Sequence, residues 1–87
     1  MDRYNLTKDL GEASLLYAKH KRLTKVNKDS GIVWFLFDDK NGCEALSEAF
    51  WRREVDVNAR EFVDAMRCLK DMIFNRPLSE KTTYSHV

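Results

Sequence analysis

Lys28-Asp29-Ser30-Gly31-Ile32-Val33-Trp34-Phe35-Leu36-Phe37-Asp38-Asp39 is the stretch on which the fold turns. From Ile32 to Phe37 the residues are β-branched, aromatic or aliphatic without a break, which is the make-up of a strand, and turn-forming residues bound the run on both sides. Ile32, Trp34 and Leu36 fall on one face of such a strand and Val33, Phe35 and Phe37 on the other, so both faces are apolar. A strand of that kind is ordinarily covered from two sides. Upstream, Leu23-Thr24-Lys25-Val26 alternates weakly. Asp29, Ser30 and Gly31 each suit turn backbone, so the two segments read as a β-hairpin.

Helical spacing surrounds this hairpin. Before it, Leu10, Ala13, Leu16, Tyr17 and His20 recur on one face of a helix spanning about residues 7 to 21, with Thr7 as its N-cap. Leu15 lies off that stripe and points to a second contact surface. After the hairpin, Asp38 to Gly42 turns the chain. Cys43, Leu46, Ala49 and Phe50 then form a second stripe reaching about Arg53, with Glu48 and Arg52 spaced as a surface pair. Asn58, with Glu61 three residues on, has the pattern of a capping box. It opens a third helix with the stripe Phe62, Ala65, Met66, Leu69, Met72 and Ile73, which Asn75 and Pro77 end. The expected fold is α+β: helix, β-hairpin, helix, helix, with the helices packed on a small antiparallel sheet. Phe62, Leu69, Met66, Leu10, Tyr17, Leu46 and Phe50 are the expected core. Residues 1–77 read as one compact domain and 78–87 as a loose tail.

Composition bounds the function. Eighty-seven residues make a single domain, and an apolar content of 44% is enough to build a core. Fifteen Lys and Arg against fourteen Asp and Glu leave a formal charge of +1, so no overall field draws the chain to nucleic acid or to an anionic membrane. The N-terminal residues contain no apolar leader, and the longest apolar run is far short of the roughly 20 residues that span a bilayer. With only two cysteines, Cys43 and Cys68, a disulfide framework is not expected, and the reading is a cytoplasmic protein with reduced thiols.

Motifs for chemistry are missing. His20 and His86 have no spacing that would join them, and no Cys-x-x-Cys is present, so a zinc site is not expected. Residues 37–48 partly imitate a calcium loop, but Phe37 stands where its first carboxylate belongs, and a strand precedes it. Cys43 falls on the first turn of a helix, where a thiol can be activated, but it also heads an apolar stripe, and burial is the simpler reading. There is no nucleophile elbow, P-loop or dinucleotide fingerprint. The sequence therefore predicts no catalytic residues, no cofactor and no enzyme activity.

Surface recognition remains. If helices cover one side of the hairpin, the other side leaves large apolar side chains that need a partner protein or a second copy of the chain. The candidate partner-binding residues are Trp34, Phe37, Trp51, Arg52 and Arg53. The alternative is a nucleic-acid-binding accessory protein that uses Lys19, Lys21, Arg22, Lys25 and Lys28 as a basic edge, with the strand aromatics stacking on bases.

Thr7-Lys8-Asp9-Leu10 with Ala13, Leu16 and Tyr17, the strand Val33 to Phe37, and Val57-Asn58 followed by Phe62, Leu69-Lys70 and Ile73-Phe74 together resemble a family of short proteins of unknown function. Its members occur in phages, prophages and bacteria. The resemblance covers about residues 6 to 75. It implies no catalytic residues. It does imply the setting of a mobile-element accessory protein, of a kind that binds and modulates a host protein or nucleic acid. The family pattern closes the first helix with a glycine, where this chain has His20.

Overall fold

The computed structural model describes residues 3–74, and its elements run β1 (Tyr4–Thr7), α1 (Leu10–Ala18), β2 (Leu23–Asp29), β3 (Ile32–Asp38), α2 (Lys40–Trp51) and α3 (Ala59–Phe74). The fold is α+β, with the helix, hairpin, helix, helix order read from the sequence and one additional strand in front. The sheet order is β1-β3-β2 and both pairings are antiparallel. The apolar strand β3 is thus the central one. The expected helix stop at Asn75 and Pro77 and the tail 78–87 lie outside the described residues.

The hairpin closes through Ser30 and Gly31, whose φ angles of 52° and 84° are both left-handed. A two-residue loop with positive φ at each position matches the right-handed twist of the strands it joins. Asp29 pairs with Ile32 across it, and the register then runs Lys28–Val33, Asn27–Trp34, Val26–Phe35 and Lys25–Leu36. Thr24 is the extra residue of a bulge, after which Leu23 stands opposite Phe37.

β1 occupies residues that the sequence reading left outside any strand, and its presence moves the first helix. Thr7 is not the N-cap; it is the last residue of β1, paired with Phe35. Asp9 is the cap instead, its Oδ1 accepting from the Glu12 N–H at 2.8 Å. Thr7 supports the cap from the strand: its hydroxyl accepts from the Asp9 N–H at 3.2 Å and donates to Glu12 Oε1 at 2.7 Å.

α1 also ends earlier than its spacing suggested. His20 is exposed and left-handed, with φ 68°. Its N–H bonds to the Tyr17 carbonyl at 3.0 Å, and the Lys21 N–H bonds to the Leu16 carbonyl at 2.9 Å. That pair of bonds is a Schellman motif, whose left-handed position usually falls to glycine. α2 ends in the same way: Arg53, with φ 61°, bonds to Phe50, and Glu54 bonds to Ala49.

The core lies between one face of the sheet and the helices. Ala13, Leu16, Phe35, Phe37, Cys43 and Leu69 form its buried centre, with Leu10, Tyr17, Leu46, Met72 and Ile73 packed against it. Leu15 is fully buried too, so α1 is enclosed on more than one side, as its off-stripe position suggested. Phe50, Phe62 and Met66 are half-buried at the periphery of this core and not at its centre. No described helix is long and apolar enough to cross a membrane.

Candidate functional site

Alternation along β3 divides its side chains between two environments. Val33, Phe35 and Phe37 point to the helices, and Phe35 and Phe37 are 1% and 0% exposed. Ile32, Trp34 and Leu36 point the other way, onto the open face of the sheet. Ile32 is 41% exposed there, and Trp34 and Leu36 are half-buried. Phe37 is therefore a core residue, not the surface aromatic that the sequence reading made it. It shares a strand with Trp34 but sits at odd spacing from it, so the pleat sends the two to opposite sides.

β1 extends the open face. Leu6 stands opposite Leu36, and Tyr4 opposite Asp38; Leu6 is 57% exposed and Tyr4 42%. Asn5 and Thr7 take the core side of the strand, where Thr7 is only 6% exposed. The alternation of β1 is thus inverted: its apolar residues face solvent and its polar residues face the protein. An ordinary edge strand would place Tyr4 and Leu6 inward.

Charged side chains frame this apolar strip. The Lys8 ammonium lies 5.8 Å from the centre of the Trp34 ring, and the Arg3 guanidinium 5.8 Å from the centre of Tyr4. Both are within cation–π range. On β2, Lys25 stands opposite Leu36, Asn27 opposite Trp34 and Asp29 opposite Ile32, which puts all three on the open side. The face therefore consists of Tyr4, Leu6, Ile32, Trp34 and Leu36, with Arg3, Lys8 and Lys25 as cations and Asp29 and Asp38 as anions.

The remaining expected binding residues lie elsewhere. Trp51, Arg52 and Arg53 sit at the end of α2. Trp51 packs edge-to-face on Phe50, with ring centres 5.0 Å apart, and Arg52 pairs with Glu54 at 3.4 Å, not with Glu48. The basic set does not form one edge. Lys19 and Arg22 are exposed around the end of α1. Lys25 and Lys28 occupy opposite sides of β2, since Lys28 stands opposite Val33. Lys21 is tied to Asp39, with Nζ 2.7 Å from Oδ2.

That Lys21–Asp39 contact is the best-built polar site among the described residues. Asp39 is the N-cap of α2 in a left-handed backbone, with φ 68°, and its Oδ1 accepts from the Gly42 N–H at 3.2 Å. A Cβ on Gly42 would meet both the Asp39 carboxylate and the Lys21 ammonium, so glycine there makes room for the pair. The hydrogen bond to Lys21, assisted by the Gly42 N–H, holds the Asp39 carboxyl below its usual range, and the same bond raises Lys21. What the site does is structural: it fastens the loop before β2 to the start of α2.

The two thiols differ. Cys43 is fully buried, and burial pushes it above the ordinary thiol range despite its place in the first turn of a helix. Its Sγ donates to the Asp38 carbonyl at 3.3 Å. Cys68 is half-exposed and contacts the Tyr17 hydroxyl at 4.0 Å, on the wall of a shallow depression that His20, Glu61 and Asp64 complete. Arg60 and Arg67 flank Asp64 at 3.5 and 3.6 Å. Among the described residues no three His, Cys, Asp or Glu side chains gather to hold a metal.

The inverted strand was legible only in hindsight. Tyr4-Asn5-Leu6-Thr7 does alternate, but four residues give a weak period, and Thr7-Lys8-Asp9 reads equally well as a helix start. Comparison with protein-family models, with curated proteins and with solved structures finds no match for this chain.

Proposed function

We propose that this chain is a small non-enzymatic interaction protein that works through the open face of its sheet, which a polypeptide partner covers. One observation carries the reading. Tyr4 and Leu6 on β1 are turned outward to continue the apolar side of β3, while Asn5 and Thr7 take the inner positions. Local burial does not favour that arrangement, because burying the apolar pair instead would gain about 25 cal/mol per Å². It is favourable if the face is covered in the working state. The setting that fits this reading is an accessory protein of a mobile element acting in the host cytoplasm. The basic-edge alternative is weaker, because its five cations are spread over two sides of β2 and the loop before it, and one of them is already paired.

A photo-crosslinking residue placed at Leu6 tests the reading in cells. Leu6 is well exposed, so the replacement leaves the core intact. The expected result is an adduct with a polypeptide at position 6 and none at Arg67, on the outer side of α3. Equal yields at the two positions, or no adduct at either, would refute it.

A further inference from the structure

We propose that the partner covering this face is a second copy of the chain, the two sheets packing face to face about a two-fold axis. The proposal rests on the interaction reading above and names its partner. Its ground is the distribution of charge. Lys25 and Asp29 project from the same side of the same strand, four residues apart. At strand rise that separation is about 13 Å, too long for the two to pair within one chain. Neither forms an ion pair with any other described residue.

The open face therefore carries an unpaired cation and an unpaired anion at the rim of one apolar strip. An isologous interface is self-complementary, so a copy presenting the same face offers an anion to each cation and a cation to each anion. Other partners fit less well. A polyanion such as a single-stranded nucleic acid would meet Arg3, Lys8 and Lys25 but would set its phosphates against Asp29 and Asp38. A strongly acidic protein surface would do the same. The formal charge of +1 per chain adds almost no long-range repulsion to self-association. Three strands make a face only about 14 Å wide, so the dimer is a weak one, populated at high micromolar concentration.

Sedimentation equilibrium of the full chain and of four variants tests this. The wild type is expected to dimerise. Leu6→Asp, at an exposed position, weakens association by about tenfold or more while far-ultraviolet dichroism stays unchanged. Lys25→Asp and Asp29→Lys each weaken self-association, because each leaves the β2 edge of the face with charge of one sign in both copies. An equimolar mixture of the two associates more tightly than either alone, since the acidic β2 edge of one meets the basic β2 edge of the other. Ile32→Asp repeats the Leu6→Asp result from β3 in case the first variant disturbs β1. A wild type that is monomeric at millimolar concentration overturns the proposal, as does a mixture no tighter than its components. So does binding of a single-stranded oligonucleotide that Lys25→Asp abolishes. The failures separate: a Leu6 cross-link to a different protein overturns the second copy and keeps the interaction reading, whereas no cross-link at Leu6 removes both.

Discussion

The two sides of β3 are built from nearly the same residues and have opposite fates. Phe35 and Phe37 meet Leu16, Cys43 and Leu69 at the centre of the core, and Val33 packs against it. Ile32, Trp34 and Leu36, no less apolar, meet Lys8 and Leu6 and then solvent. The difference lies in the connections: the helices all lie on one side of the sheet. Strand composition thus records how many of its faces are apolar, and not which of them the same chain covers. In a three-stranded sheet with one helical layer, the second apolar face has no helix of the described chain over it.

Truncation of the two sides gives the largest test of that contrast. Phe35→Ala should cost about 3–5 kcal/mol in denaturant unfolding, because it leaves a cavity among packed neighbours. Ile32→Ala, on the same strand, should stay within about 0.5 kcal/mol for the isolated subunit. Equal losses would mean that the open side is covered within the chain. Leu69→Ala sharpens the contrast from the helical layer, with an expected loss of about 2–5 kcal/mol.

A smaller effect of opposite sign is expected at the end of α1, which carries much of the inner cover. His20 holds a left-handed backbone without being glycine, so His20→Gly should raise stability by about 1 kcal/mol, seen as a higher urea midpoint with unchanged slope. No gain would show that the histidine side chain offsets its own backbone strain.

The subtlest effect concerns the Lys21–Asp39 fastening. The Asp39 carboxyl titrates lower in the folded chain than in the unfolded one, so its contribution is present above the ordinary carboxylate range. It fades as acid carries the pH through the lowered value. Lys21 is raised, so its contribution holds below the ordinary lysine range and is lost as the pH climbs past the raised value. Asp39→Asn keeps a capping oxygen and tolerates the left-handed backbone. The Tm gap between it and the wild type should be flat around neutrality and close in acid.

Much of this architecture could be read from local rules. The hairpin announced itself through Ser30-Gly31 and the apolar run after it, and α3 through Asn58, whose Oδ1 does accept from the Glu61 N–H at 3.0 Å. The apolar surface on one side of the hairpin was also foreseeable, and Trp34 with it. What could not be read was β1, because its four residues give too short an alternation and Thr7-Lys8-Asp9 reads equally well as a helix start. The helix boundary failed with it: Thr7 and Asp9 are both good caps, and only the pairing of Thr7 with Phe35 decides between them. Phe37 and Trp34 were grouped by proximity in the chain, although the pleat parts them. The basic residues share a stretch of sequence in the same way, but strand alternation parts Lys25 from Lys28, and Asp39 takes Lys21.

The shortness of β1 has one more consequence. Its outer margin, with no further strand beyond it among the described residues and with apolar residues turned outward, is a template on which chains could stack without limit. Four residues between Arg3 and Lys8 give such stacking little purchase, and those two cations act as gatekeepers at its ends. Neutralising both should leave the fold unchanged, by far-ultraviolet dichroism, and lower the concentration at which the chain precipitates.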